Sequence, residues 1–338
     1  MSALSIERLF GVKGYVAVVT GGSSGLGFMI SKGLVANGVK VYVVALPTEP
    51  IKEKVAELND IGRSVGGSAH GLSCDVSNKD QIAELAAAIS SLEDHIDVLV
   101  SNAGVRRDPR IPCDVLSAPL SELQASMWSS RHSDWAETFC VNTTAHYFLS
   151  VAMLPLLSAA SEIKSEDGRL GRDDGRGAIV MTSSCASMHN ATNVDLTSYA
   201  TSKAATDHLV RLLAAKFSRF YVRVVGINSG CELCIQSLEG IIRLIKAVVV
   251  PSNMNPVGKA GNMFSSLFDR VPAKRAGRDE DIAGAVIYLI SRAGVGFLLC
   301  GSVCLLLGQF VLITKQAYID GVSICIDGGR VLVANGQE

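Results

Sequence analysis

Tyr199 and Lys203 stand four residues apart in the run Leu196–Lys203, Leu-Thr-Ser-Tyr-Ala-Thr-Ser-Lys. The segment then keeps a helical period through Ala204, Ala205, Leu209, Leu212 and Leu213. On a helix, positions i and i+4 lie one turn apart on one face, so a phenol and an ammonium are held side by side. The ordinary phenol pKa is about 10, and a fixed cation a few ångströms away favours the phenolate. At an effective dielectric of about 20 such a pair interacts by on the order of 4 kcal/mol at about 4 Å. Tyr199 is thereby a candidate general acid/base. Tyr and Lys at this spacing also occur on solvated helices, so the other motifs must carry the assignment.

A second group of residues suits phosphate. The apolar run Tyr15–Val19 is followed by Thr20-Gly21-Gly22-Ser23-Ser24-Gly25-Leu26-Gly27 and then by a helical pattern from Phe28 to Asn37. Strand, glycine turn and helix make the first half of a βαβ unit. Its glycines let the backbone approach a pyrophosphate at the positive end of the helix dipole. The next strand, Lys40–Ala45, ends on Ala45 and Leu46, where dinucleotide folds often carry an acid that accepts the ribose hydroxyls and repels a 2′-phosphate. Without that acid, NADP(H) is expected over NAD(H), although no arginine stands there to hold the phosphate.

The remaining elements repeat the unit. A helix over about Ile51–Val65 precedes a strand ending at Leu72–Val76 with Asp75 at its edge. A helix over about Lys79–Glu93 leads to the strand Ile96–Val100 and to Ser101-Asn102-Ala103-Gly104. A long polar loop, Val105–Arg131, is expected over the site or at a subunit edge. The helix Asp134–Leu157 carries Asn142. A charged, glycine-rich surface loop, Ser161–Gly177, precedes the strand Ala178–Thr182, which delivers Ser183, Ser184 and Cys185. Alternation of strand and helix predicts an α/β fold: one Rossmann-like, doubly wound parallel sheet with helices on both faces. Ligands on such sheets bind at the strands' carboxyl ends, where each of these motifs falls.

Composition narrows the classes. A chain of 338 residues, 48% hydrophobic and with a formal net charge of −1, describes a well-cored globular protein, read here as a single domain over 1–338. Balanced charge with no basic run argues against a nucleic-acid partner. Met1–Gly14 carries Glu7, Arg8 and Lys13 and no apolar stretch, so no secretory signal is expected. Nine irregularly spaced cysteines then read as reduced thiols of a cytoplasmic protein. Cys231 and Cys234 form a C-x-x-C without a second ligand pair, so no metal site is expected.

Taken together, the motifs resemble the short-chain dehydrogenase/reductase family, in the subgroup with a T-G-x-x-x-G-x-G turn. The likeness runs through Thr20–Gly27, Asp75-Val76, Ser101–Gly104, Asn142, Ser184, Tyr199 with Lys203, Asn228-Ser229-Gly230 and Asp327-Gly328-Gly329. It implies a cofactor site in which Thr20, Gly21, Ser23, Ser24, Gly25, Leu26 and Gly27 hold the pyrophosphate. Asp75 and Val76 would face the adenine, and Asn102, Ala103 and Gly104 the ribose side. It also implies a catalytic tetrad. Tyr199 would protonate a carbonyl oxygen as the nicotinamide hydride attacks carbon. Lys203 would hold the nicotinamide ribose, Ser184 would hydrogen-bond the carbonyl, and Asn142 would anchor a water that resupplies the proton. Ser183 is adjacent, and the second serine of the pair is the one assigned. Within the family the chain is similar to fungal 3-oxoacyl-acyl-carrier-protein reductase-like members, which implies a small carbonyl or alcohol substrate, a 3-oxoacyl or secondary-metabolite carbonyl, and a homodimer or homotetramer through Asp134–Leu157 and Ser198–Phe217.

Two stretches depart from the family pattern. Cys231–Val250 is an added segment with helical period, read as an amphipathic helix at the site's rim. Val295–Thr314 runs for about 20 residues without a charge, the length of a membrane span. A true span would separate the expected last strand, Val322–Ile326, from its sheet and leave backbone groups unpaired. A hairpin packed on the protein or on a membrane surface keeps the fold intact. So does retained non-coding sequence, since deleting Val295–Gln316 restores the family's helix-to-strand connection. Packed insertion or non-coding sequence is preferred to membrane association. A second function class stays open: a non-catalytic NAD(P)-binding sensor or scaffold whose insertions block the substrate pocket.

Overall fold

A computed structural model describes residues 4–165, 168–188, 194–229, 248–249, 275–295 and 323–326. The added segments at 231–250 and 295–316 fall almost wholly outside these residues, as do Gly230 and Asp327-Gly328-Gly329. A helix α1 (Ile6–Phe10) precedes β1 (Val16–Thr20), α2 (Gly25–Ala36), β2 (Lys40–Ala45), α3 (Ile51–Gly62), β3 (Ser68–Ser73), α4 (Lys79–Leu92) and β4 (Val98–Ser101). Then come α5 (Leu120–Trp128), α6 (His132–Phe139), α7 (Ala145–Ser161), α8 (Gly171–Asp174), β5 (Ala178–Ser184), α9 (Thr197–Phe217) and β6 (Arg223–Ser229).

The sheet has seven strands in the order β3-β2-β1-β4-β5-β6, with Ser323–Ile326 outside β6, and every pairing is parallel. This is the doubly wound topology, whose order reverses between β1 and β4 and opens a crevice there at the carboxyl ends. Strand β1 shows why the sheet needs both faces covered. Ala17 and Val19 join one apolar cluster with Ile30 and Leu34 of α2 and with Val286 and Leu289 of the helix Asp279–Ile290. Val16 and Val18 join another with Ile82 and Ile89 of α4, Leu149 and Met153 of α7, and Leu213 of α9. Alternate residues point to opposite faces, so a strand buried on both sides reads as a continuous apolar run. Full burial of each large aliphatic side chain contributes about 1.5–3 kcal/mol.

Three elements differ from their sequence reading. The polar loop after β4 contains the helix α5, because Leu120–Trp128 has a run of good helix formers behind Pro119, which sets its entry. The expected continuous helix Asp134–Leu157 begins at His132, runs on to Ser161 and is interrupted by a π-helical turn, Cys140–Thr144, at Asn142. The charged loop Ser161–Gly177 holds the single turn α8, stopped by Gly175 at φ 93°. The stretch His132–Ser161 is long and apolar enough to cross a membrane, yet half of its most apolar window is buried inside the fold, as suits a core helix. Among the described residues Cys74, Cys113, Cys140 and Cys185 form no disulfide.

Candidate active site

The crevice is assembled from strand ends. At the end of β1, the Thr20 hydroxyl accepts from the backbone N–H groups of Asn102 (2.9 Å) and Ala103 (3.2 Å), and the Asn102 amide donates to the Thr20 carbonyl at 3.1 Å. Two segments 82 residues apart are thereby locked edge to edge. Thr182 of β5 extends the lock by donating to Asn102 Oδ1 at 3.1 Å. The glycine turn packs into this corner. A Cβ on Gly27 would stand 2.2 Å from the Gly21 carbonyl oxygen and 2.6 Å from Asn102 Nδ2, so only glycine fits. Gly21 and Gly25 have φ of 64° and 51°.

The same turn leaves donors without partners. Ser24 caps α2 without a side-chain capping bond, and the buried Ser23 hydroxyl has no hydrogen-bond partner among the described residues. A buried polar group without a partner is costly. A phosphate oxygen of a dinucleotide at this helix N-terminus would satisfy it, and the Gly27 corner gives that phosphate a backbone floor. The turn therefore fits a dinucleotide. Leu26 packs partly buried against the core, and Ala45, at the carboxyl end of β2, presents no charge. Asp75 and Val76 lie past β3, two strands away. Asp75 Oδ1 accepts from the backbone N–H (2.9 Å) and hydroxyl (2.7 Å) of Ser77, and its own N–H donates to Gln81 at 2.8 Å.

The four tetrad residues lie on three elements that meet below this turn. Lys203, buried on α9, donates from Nζ to the Thr182 carbonyl at 2.7 Å, and Nζ stands 5.8 Å from the centre of the Tyr199 ring. Gly104 closes the gap: a Cβ there would touch Asn142 Oδ1 at 3.2 Å and Lys203 Nζ at 3.4 Å. Asn142 grips the chain just beyond. Its Oδ1 accepts from the Val105 N–H at 2.8 Å, while Nδ2 donates to the Val105 carbonyl (2.9 Å) and to Ser202 Oγ (3.0 Å). Asn142 lies in the π turn, and its carbonyl accepts from the Thr206 hydroxyl.

Ser183 and Ser184 separate cleanly. Ser183 donates to the Lys203 carbonyl at 3.0 Å, whereas Ser184 Oγ accepts from the Ala186 N–H at 3.1 Å and so retains its own proton for a further acceptor. Tyr199 packs with Cys185 and Ala186, the two residues that follow Ser184.

Sequence reading missed two participants. Thr182 lies two residues before Ser184 and so on the same side of β5, a signal that strand alternation could have supplied. His146 is buried, with Nδ1 hydrogen-bonded to Ser101 Oγ at 2.6 Å. Burial, reinforced by the Lys203 cation, pushes its pKa down to about 3, so it is a neutral imidazole. Lys203 is accordingly the fixed positive charge at this corner. No cluster of His, Cys, Asp or Glu suited to a metal occurs among the described residues.

Comparison with known proteins follows this geometry. Residues 15–233 match the family model for short chain dehydrogenase. The chain is 31% identical over 321 residues to the short-chain dehydrogenase/reductase PhomF of Diaporthe leptostromiformis, covering 94% of this chain and 98% of that one. It is 26% identical to the 7alpha-hydroxysteroid dehydrogenase of Escherichia coli over 83% of this chain and 88% of that one. Among solved structures, the Pseudomonas aeruginosa RhlG/NADP active-site complex superposes with a TM-score of 0.68 at 25% identity, covering 96% and 98% of the two chains.

Proposed function

The chain belongs to the short-chain dehydrogenase/reductase family, oxidoreductases that interconvert alcohols and carbonyls, and from that premise we propose that it reduces a ketone with NADPH, using Tyr199 as the proton donor. The observation that carries this reading is the convergence of Tyr199, Lys203 and Ser184 beside a glycine corner built for a dinucleotide. A bound nicotinamide coenzyme supplies the hydride. Ser184 donates its hydroxyl proton to the substrate oxygen and orients it. Tyr199 transfers its phenolic proton to that oxygen, and the Lys203 ammonium stabilises the phenolate left behind. Lys203 is held in place by the Thr182 carbonyl. Asn142, whose Oδ1 accepts from the Val105 N–H and whose carbonyl accepts from the Thr206 hydroxyl, would anchor a water that returns the proton to Tyr199.

NADP(H) is preferred because β2 ends in Ala45 with no carboxylate to repel a 2′-phosphate, and because the related RhlG structure holds NADP. We read the substrate as a 3-oxoacyl or secondary-metabolite carbonyl, in keeping with the fungal relative. The chain would act as one domain and self-associate through α7 and α9, whose Tyr147, Val151 and Leu212 remain 40–44% exposed. NADPH oxidation against 3-oxoacyl thioesters, quinones and cyclic ketones, repeated with NADH, tests substrate class and coenzyme together. Tyr199→Phe should lower turnover by at least about 10²-fold with NADPH binding retained. Undiminished turnover would reject the assigned acid, and NADPH binding without turnover of any carbonyl would favour a sensor or scaffold.

A further inference from the structure

A second concave site lies at the opposite end of the sheet. A cavity of about 450 Å³ opens where the chain enters β1 and β5, between the N-terminal segment, the α8 turn and Arg292. Strand β1 separates it from the glycine turn by about 17 Å, since Tyr15 precedes the strand and Thr20 ends it. Five cations line it against two carboxylates, Glu7 and Asp174. Among the described residues, not every one of these cations has an ion pair. Asp174 is taken by Arg169 at 2.9 Å, and Arg176 is held by the buried Asp97 at 2.7 Å with its guanidinium 4.5 Å from the centre of the Tyr15 ring. Lys13 and Arg292 have no ion pair among the described residues, and Arg292 Nη1 is buried without a hydrogen-bond partner among them.

We propose that this cavity is a second ligand site, which takes a small molecule carrying two or more negative charges as phosphate or carboxylate groups. The volume is that of a small-ligand pocket, well beyond one phosphate ion. Uncompensated cations in a concave, low-dielectric wall concentrate a positive potential. An oxyanion would meet the unsatisfied Arg292 N–H by a charge-assisted bond, with Lys13 as a point charge beside it. Arg176 is already fixed by Asp97 and Tyr15, so its ordering cost is met before the ligand arrives.

The test is calorimetric titration of the full chain, saturated with NADPH, with sodium pyrophosphate and in parallel with citrate, at constant ionic strength. Pre-saturation keeps the anion from the coenzyme turn, so the outcome is independent of whether the chain turns over a ketone. One pyrophosphate or citrate per chain with a Kd below about 1 mM is expected. The tighter of the two identifies phosphate or carboxylate as the preferred group. Lys13→Gln combined with Arg292→Gln should weaken binding at least about tenfold while leaving NADPH affinity unchanged. If the double variant does not fold, Lys13→Gln alone should weaken binding by about threefold. Absence of binding by either anion, binding lost on NADPH saturation, or binding unchanged in the variants would overturn the assignment.

Discussion

The two ends of the same parallel sheet are built from opposite chemistry. At the carboxyl end the contacts of the corner run between hydroxyls, amides and backbone atoms of Thr20, Asn102, Thr182 and Asn142, with the buried Lys203 ammonium held on the Thr182 carbonyl. At the amino end the ties are ionic. Buried Asp97 accepts from the Val16 N–H at 2.7 Å and from Arg176 at 2.7 Å, and buried Arg223 donates to the carbonyls of Leu289 and Gly175 at 2.9 and 2.8 Å. The charges that clamp the strand starts, Asp97 and Arg223, are tied to fixed partners inside the fold. Neutral donors fixed by one another can keep one valence open for a ligand, as Ser23 does. The ionic clamp at one end and the neutral corner at the other can therefore be broken independently.

The strongest way to break this contrast is Asp97→Ala. It strands a partly buried guanidinium and an N–H at the start of β1, and removing one partner of a buried pair costs about 3–5 kcal/mol. Urea unfolding should report that loss, with NADPH affinity of the folded protein unchanged. A loss below about 1 kcal/mol would put the amino-end clamp on the level of a surface pair. The complementary change is Gly27→Ala, whose Cβ would lie 2.2 Å from a backbone oxygen. It should weaken NADPH binding by about 100-fold, or roughly 2.7 kcal/mol, in a fluorescence titration. Unimpaired binding would mean that the turn yields and the corner is not the coenzyme's floor.

This division also explains what was legible in the sequence. The fold was readable because strands buried on both faces are short, largely apolar runs, and Tyr15–Val19, Lys40–Ala45 and Ile96–Val100 each meet a glycine, proline or polar break within two residues of the carboxyl end. The glycine turn and the Tyr199–Lys203 spacing are local patterns, so they too could be read directly. Contacts across the chain could not. Nothing adjacent to Asn142 signals that Val105 will occupy both ends of its amide, or that Asn142 will lie in a π turn. His146 reads as one more position on an amphipathic helix, and only the packed structure sets it against Ser101. The α5 helix was hidden because its exposed Leu120 and Trp128 give no inward stripe.

His146 sharpens the contrast through pH. Its pKa in the fold is about 3, below the ordinary value of about 6.5 expected when unfolded. Between these values the unfolded chain binds a proton that the native imidazole refuses. The stability contribution is complete above about pH 6.5 and is lost as pH falls toward 3, at up to about 1.4 kcal/mol per pH unit. His146→Gln should flatten the acid limb of the urea midpoint against pH relative to the unchanged chain. Coincident limbs would show that the imidazole is not kept neutral inside the carboxyl end.

The smallest effect comes from a glycine that the architecture does not use. Gly284 is exposed in the helix Asp279–Ile290, and a Cβ there would meet no atom within 4 Å. Its helical backbone suits any residue, so Gly284→Ala removes only the conformational freedom that glycine gives the unfolded chain, a gain of about 0.5–1 kcal/mol. Gly27 and Gly284 both lie on helices facing the same core cluster, through α2 and the helix Asp279–Ile290, yet the same substitution should weaken coenzyme binding at one and stabilise the protein at the other. The difference is the backbone oxygen of Gly21 lying against Gly27. A higher melting temperature for Gly284→Ala with NADPH affinity unaltered would support placing the binding function in that one corner. Weakened NADPH binding would show that the helix Asp279–Ile290 transmits strain to α2, and the two ends could no longer be treated as separable.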